Sequence, residues 1–371
     1  MKKKNLKDYT LPELTKLFKH EGIEPYRAKQ VFEGIHLHLA ENINDIKNIP
    51  ISLKEKLNPE YEIGNLNCLH VDDSIKYATK KFLFETQDGN KIETVLISED
   101  GRDTVCVSTQ VGCNVGCEFC ATGKMGFSKN LKPSEIVDQV YNVWKITGVK
   151  PTNLVYMGMG EPFLNYENML NSLKILTSEF GINLSSRKIT VSTVGFKARI
   201  KKFADDLMHS ENKGIKNVKL ALSLHSTDNG IREAIIPTSK KNTLSEIYEE
   251  LIYFYRTTGN KITYEYIFFE GLNDTENDLK RLTKLSGMIP SNINIIPFHP
   301  IGFKLNKPLD IFNKKKEAIS SPKDIDNFLS KNKLFDFIER LRKNKVVVNL
   351  RSSSGVDINA ACGQLAVTSS K

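Results

Sequence analysis

The sequence has no run of 18 apolar residues, and no hydrophobic segment follows its opening Met1-Lys2-Lys3-Lys4. The first absence excludes a membrane-spanning helix and the second a secretory signal, so the protein is expected in the cytoplasm without a membrane partner. Cysteine is scarce, six in 371 residues, and reduced, ligand-competent thiols agree with that compartment. Acidic residues are outnumbered, 44 against 53 basic ones, for a formal charge of +9. The imbalance favours a polyanionic partner, because each Lys or Arg that meets a phosphate releases a condensed counterion. Drift toward Lys-, Asn- and Ile-rich usage gives the same number. What is present, 40% hydrophobic residues, suits one globular domain of roughly 250 residues with a smaller companion.

The pattern along the chain changes twice. Residues 5–60 predict a small helical module: Thr10-Leu11-Pro12-Glu13 is a capping box ahead of Leu14, Leu17 and Phe18, a second helix fits Tyr26 to Leu39, and Ser52 can cap a third. Histidines 36 and 38 are placed on its surface, and such a module either grips RNA or braces a larger domain. From Gly64 to Ser98 the period becomes two. Lys76–Glu85 and Lys91–Ile97 predict a hairpin across Asp88-Gly89, with Glu93 read as a solvated side chain. Thereafter strands at Asn153–Met157, Lys188–Thr193, Val218–Leu224, Lys261–Phe269 and Asn292–Phe298 alternate with helices, one capped by Thr243 and another started by Asn273 or Asp274. This repeat predicts an α/β fold with a partial parallel barrel whose site lies at the C-terminal strand ends. Gly158-Met159-Gly160-Glu161-Pro162, Ser192, Ser223-Leu224-His225 and Phe298-His299-Pro300 fall at those ends. A helix from Ser321-Pro322 to Leu341 and a strand Lys345–Leu350 complete the series.

The chemistry concentrates in two places. Cys113, Cys117 and Cys120 stand as C-x3-C-x2-C after an apolar strand-like run, and no fourth cysteine is near. Three thiolates on a short loop suit an iron–sulfur cluster with one iron left open for a substrate. A zinc knuckle or chance clustering are the alternatives, although zinc usually takes four ligands in paired units. In the tail, Gly355 to Leu365 is too polar and small-residued to be core, and Cys362, flanked by Ala361 and Gly363, is sterically open. A free surface thiol is the plain reading of that residue alone, and a packed core thiol that of Cys68.

The set C-x3-C-x2-C-A-T-G, G-M-G-E-P, S-L-H and D-I-N-A-A-C-G-Q-L resembles, over nearly the whole chain, the radical S-adenosylmethionine (SAM) methyltransferases that act on carbon 2 of adenosine in large-subunit ribosomal RNA and in tRNA. The tail motif, with Cys106 seven residues before the cluster loop, is its specific mark. The resemblance implies a 4Fe-4S cluster on Cys113, Cys117 and Cys120, and two SAM molecules per turnover. Cys362 would take a methyl group from the first. The second, cleaved at the cluster, would yield the radical that activates this methyl for addition to the base. Cys106 would then attack the Cys362 sulfur to release product as a transient disulfide, and Glu93 would accept the ring proton. Gly160 and Glu161 would receive the SAM amino group, and Ser192, Ser223, Leu224, His225 and His299 would line SAM further. His299 departs from the Asn usual in the family, and Arg351-Ser352-Ser353-Ser354-Gly355 lacks a second Arg.

The implied organisation is a helical RNA-contacting module (1–60), a β-hairpin extension (61–100), a radical SAM core (101–345) and a C-terminal strand with the cysteine tail (346–371). An electron donor such as flavodoxin or ferredoxin and a monomeric state are expected with it. The sister group that methylates carbon 8 shares both remote cysteines and the tail, and Pro162 favours the carbon 2 group. A non-catalytic, metal-stapled RNA-binding protein is the more distant alternative.

Overall fold

The computed structural model describes residues 3–313, 331–351 and 354–367. Its strands are β1 (Lys4–Asn5), β2 (Tyr61–Glu62), β3 (Asn67–Asp73), β4 (Thr79–Glu85), β5 (Lys91–Glu99), β6 (Arg102–Cys106), β7 (Gln110–Gly112), β8 (Phe127–Asn130), β9 (Asn153–Tyr156), β10 (Ile189–Thr193), β11 (Lys219–Ser223), β12 (Ile262–Phe268), β13 (Ser291–Pro297) and β14 (Val348–Leu350). Ten of them form one sheet in the order β14-β13-β12-β11-β10-β9-β6-β5-β4-β3. From β6 through β14 every neighbour is parallel, and from β6 to β3 every neighbour is antiparallel. Among the described strands β14 and β3 are free edges, so the sheet is the expected open, partial parallel barrel with a hairpin extension.

Sequence chemistry accounts for the layering. Tyr264, Tyr266 and Phe268 of β12 and Ile189 and Val191 of β10 are buried, as strands covered on both faces require. Helices Pro133–Thr147, Tyr166–Thr177, Arg199–Met208, Leu244–Thr258 and Glu276–Met288 are the crossovers. Right-handed strand–helix–strand connections leave all the strand C-termini at one rim.

The N-terminal module holds helices Leu11–His20, Pro25–His36 and Ile51–Leu57. Thr10 and Glu13 form the capping box reciprocally, with the Thr10 amide donating to Glu13 Oε2 at 2.8 Å. The third helix starts after Pro50 rather than at a Ser52 cap. His36 is not on the surface: it is buried, its Nδ1 lies 2.9 Å from the Tyr141 hydroxyl, and its ring packs 4.3 Å from Phe32. The C-terminal turn of that helix is covered both by its own module and by Tyr141 of helix Pro133–Thr147, while Tyr26 and Lys29 at its start stay exposed. Beside it, buried Lys7 meets buried Asp138 at 2.5 Å, and the second Asp138 oxygen accepts the Leu66 amide at 2.6 Å.

Other boundaries moved for local reasons. Helix Glu276–Met288 is capped by Thr275, whose hydroxyl bonds Asp278, whereas Asn273 is buried and ties the C-terminal ends of β11 and β12 together by donating to the His225 and Ile267 carbonyls. The last strand is Val348–Leu350. The start of the helix expected at Ser321-Pro322 lies outside the described residues, which resume with helix Lys331–Lys343. Cys68 is partly buried on edge strand β3, packed against the core rather than enclosed in it.

Candidate active site

The cysteine loop is bracketed by the two-stranded β7–β8 hairpin. The Cys113 amide donates to the Gly126 carbonyl at 2.7 Å, and Gly112, at φ +72°, would place any Cβ against that same carbonyl. Cys120 precedes the short helix Ala121–Lys124, and a Cβ on Gly123 would lie 2.9 Å from the Cys117 amide and carbonyl. Lys124 pairs with Glu118 at 2.5 Å to close the loop. All three thiols line a cavity of about 130 Å³ at the strand C-termini, together with Gly160, Glu161, Ser192, Ser223 and His225. Burial pushes the Cys113 thiol up to about 12 and those of Cys117 and Cys120 upward too, with mutual repulsion adding at Cys113 and Cys117. Such a set becomes thiolate only when a cation compensates the charge. Among the described residues no three His, Cys, Asp or Glu side chains converge as a single ion needs. Three thiols on one cavity wall, Cys117 buried and Cys113 and Cys120 partly so, fit the three-thiolate corner of an iron–sulfur cluster with one side open toward the rest of the cavity.

The wall opposite carries the expected cofactor residues. Gly160, at φ +98°, packs against Gln110, where a Cβ would lie 2.5 Å from Gln110 Cβ. Buried Glu161 accepts the Phe163 amide on Oε1 and the Val194 amide on Oε2, each at 3.0 Å. Burial pushes its carboxyl up to about 7 against those amides, so an arriving ammonium would restore the carboxylate. Ser192 and Ser223 hydroxyls are 3.3 Å apart. His225 takes φ 51°. Its Nδ1 accepts the Ile267 amide at 3.1 Å and burial holds the ring down to about 3, so it is neutral with its proton on Nε2. Leu224 is fully buried and does not line the cavity. Arg232, which the sequence did not single out, donates to the Val194, Ser223 and Leu224 carbonyls and so fixes two strand ends from behind.

A second cavity, of about 170 Å³, adjoins the first. Cys106, Arg351, Arg102, Glu99 and His299 line it, and Cys362 lines both. His299 thus stands on the wall of the second cavity, away from Ser192 and Ser223. Solvent reaches Cys362 through the mouth, yet surrounding protein pushes its thiol upward while the Arg351 guanidinium pulls it down. Burial, reinforced by the Cys362 thiol, pushes Cys106 up to about 12. The tail is no exposed appendage: Ala360, Ala361, Leu365 and Ala366 are buried. The Ala121 amide donates to the Gly363 carbonyl at 2.7 Å and the Thr122 hydroxyl to the Leu365 carbonyl at 2.6 Å, while Ser74 and Ile75 hold Asp357. Small residues let the tail lie flat on the cysteine loop, which polarity alone did not reveal.

Glu93 is brought near but not onto either wall. It is buried on β5 rather than solvated, two residues before Val95, which pairs with Cys106 and lines the second cavity. Burial raises its carboxyl, and Lys81 and the Ala366 amide pull it back. Glu265 on β12 was missed as well: it is buried, lines the first cavity, and accepts Asn294 Nδ2 at 2.8 Å.

Comparison with known proteins gives a consistent answer. Residues 107–283 match the radical SAM superfamily, and residues 4–63 match the ribosomal RNA large subunit methyltransferase N-terminal domain. A probable dual-specificity RNA methyltransferase RlmN of Thermotoga neapolitana is 37% identical over 98% of this chain and 97% of its own length. The corresponding Salinibacter ruber protein is 39% identical over 93% and 89%. The crystal structure of a radical SAM methyltransferase from Sphaerobacter thermophilus superposes with a TM-score of 0.82 at 34% identity, covering 97% of this chain and 98% of that one.

Proposed function

Because the chain belongs to the RlmN family of dual-specificity RNA methyltransferases within the radical SAM superfamily, we propose that it methylates carbon 2 of an adenosine in large-subunit ribosomal RNA and in tRNA. The observation that carries this reading is the position of Cys362 on the wall common to two cavities, with Cys113 and Cys117 in one, Cys106 in the other and Cys120 beside it on the shared wall. A residue that must collect a methyl group in one chamber and deliver it in the next belongs on such a boundary.

Cys113, Cys117 and Cys120 would hold the 4Fe-4S cluster, and Gly160, Glu161, Ser192, Ser223 and His225 would hold SAM beside it. When bound, these groups supply a one-electron cleavage of the sulfonium and hence a hydrogen-abstracting carbon radical. This chain's residues do the rest. Glu161 presents carboxylate oxygens already aligned by two backbone amides, ready for the ammonium end of SAM. Cys362 Sγ attacks the methyl carbon of one SAM, forming an S–CH3 bond as the sulfonium S–C bond breaks. After the carbon of that methyl has joined the adenine and the ring adduct has returned one electron to the redox partner, Glu93 would take the proton from carbon 2. The Cys106 thiolate would then attack Cys362 Sγ, so that an S–S bond forms as the S–C bond to product breaks, the released electron pair takes up a proton to complete the methyl group, and a thiol reductant resets the pair. Glu93 lines neither cavity, but its carboxyl takes the amide of Ala366, next to Leu365 on the wall of the second cavity and in the tail that carries Cys362. Two SAM molecules per turnover, an electron donor such as flavodoxin or ferredoxin, a monomeric state and a cytoplasmic setting follow from the same reading.

Its test is the position of the methyl group. RNA from a deletion strain, treated with the reconstituted enzyme, is expected to gain 2-methyladenosine on nucleoside mass spectrometry. 8-Methyladenosine instead would move the protein to the sister group despite Pro162.

A further inference from the structure

A carboxyl that is to accept a proton must first be ionised, and Glu93 is buried, which favours its neutral form. One cation opposes this. Lys81 of β4, its side chain 10% exposed, holds Nζ 3.2 Å from Glu93 Oε1. The same ammonium lies 3.5 Å from Oδ2 of Asp72, which stands across from Lys81 in the β3–β4 pairing and is 39% exposed. Asp72 Oδ1 in turn meets His70 Nε2 at 3.0 Å. Among the described residues the other elements around Glu93 contribute groups that do not titrate: the tail supplies the Ala366 amide, and Met159 receives the Glu93 amide on its sulfur at 3.3 Å. The carboxylate Oε2 makes no hydrogen bond. A row of charges thus runs across β5, β4 and β3 from a buried acid to the surface, with one lysine divided between two acids. Stability alone gives no reason for it, since a buried ion pair is generally no better than apolar residues of the same size.

We propose that Lys81 is the positioning residue that keeps Glu93 ionised for the proton of carbon 2, and that Asp72, by competing for the same ammonium, sets how strongly it does so. The proposal rests on the assignment of Glu93 as proton acceptor. In that step the C–H bond breaks, its electron pair returns to the ring, and an O–H bond forms on Glu93. Lys81 remains an ammonium throughout.

The two partners make opposite predictions. With the reconstituted enzyme and a ribosomal RNA transcript containing the target adenosine, the readout is methylated RNA formed per SAM cleaved, as a function of pH. Cleavage is the denominator, so a variant that merely folds or binds SAM poorly leaves the ratio unmoved. The acidic limb of this ratio is expected to move up by about 1 to 3 pH units in Lys81→Met, the range an adjacent opposite charge commands. It should move down in Asp72→Asn and stay near the wild-type position in Lys81→Arg. Should Lys81→Met not fold, Asp72→Asn and Lys81→Arg retain the test through infrared titration of the 13C-labelled Glu93 carboxyl, which must titrate lower in Asp72→Asn. Limbs that do not move, or that move the same way in Lys81→Met and Asp72→Asn, overturn the proposal if Glu93→Gln is still defective at every pH. A Glu93→Gln enzyme with a normal ratio overturns instead the proton-acceptor assignment beneath it.

Discussion

Arg351 has five N–H donors and no ion pair within the described protein, yet its charge is felt by both remote thiols and by Glu265. Only thiolate attacks a sulfonium methyl. Because the guanidinium holds the Cys362 thiol below where burial would leave it, Arg351→Ala should slow methylation of Cys362 about tenfold for each unit by which the thiol rises. Intact-protein mass spectrometry of SAM-treated enzyme measures this without RNA; an unchanged loading rate would assign Arg351 to the nucleotide instead. In the proposed sequence Cys106 acts on the other side of the covalent intermediate. Cys106→Ala should accumulate RNA attached to protein, seen as a nuclease-sensitive upshift on a denaturing gel, and Cys362→Ala in the same chain should abolish it. That Cys113, Cys117 and Cys120 share one cavity was legible from their spacing, whereas Gly160, Glu161 and Cys362 were given their roles only through the family resemblance. Arg351, Arg232 and Glu265 were not legible, since each acts through neighbours distant in sequence. Glu93 was read as solvated because strand alternation tells which residues share a face and not what covers that face.

At the scale of elements, the docking of the N-terminal module on helix Pro133–Thr147 is polar at its centre. Lys7 and Asp138 are both buried, and either one alone would be an uncompensated charge. Lys7→Met should therefore cost about 3 to 5 kcal/mol in chemical denaturation, whereas a double replacement of Lys7 and Asp138 by apolar residues should recover much of it. His36 gives the same interface an acid sensitivity. Its ring is held down to about 3 by burial, with Lys7 adding repulsion, so the folded state binds fewer protons than the unfolded state between pH 6.5 and 3. Stability then falls as pH drops through that window, by about 2 kcal/mol at pH 5 from this group. His225 contributes in the same direction, so the quantity to measure is the difference between His36→Gln and wild type in urea midpoint at pH 7 and pH 5, which should narrow in the variant. Helix positions were legible from caps such as Thr10 and Thr243, and strand positions to within three residues. The face a helix turns inward was not legible where two neighbours compete for it, as at His36.

For the molecule as a whole, the +9 charge and the size of the second cavity impose different conditions on the RNA. Charge acts at a distance and reads no sequence, so affinity should fall by about 0.7 to 0.9 units of log K per neutralised phosphate for each unit of log salt. The cavity, of about 170 Å³, admits a base only after it has left its stack, which is least costly in a loop or bulge. Affinity and methylation are therefore separable. A transcript carrying the target adenosine in a loop and a perfectly paired duplex of equal length and charge should bind with similar salt slopes in filter binding. Only the looped transcript should gain a methyl group, and raising salt should lower its methylation through KM while leaving the saturating rate unchanged. Equal methylation of the paired duplex would mean that the enzyme itself opens the helix. In that case the basic surface would do more than hold phosphates, since the work of unstacking, a few kcal/mol, would have to come from contacts made only with the opened strand.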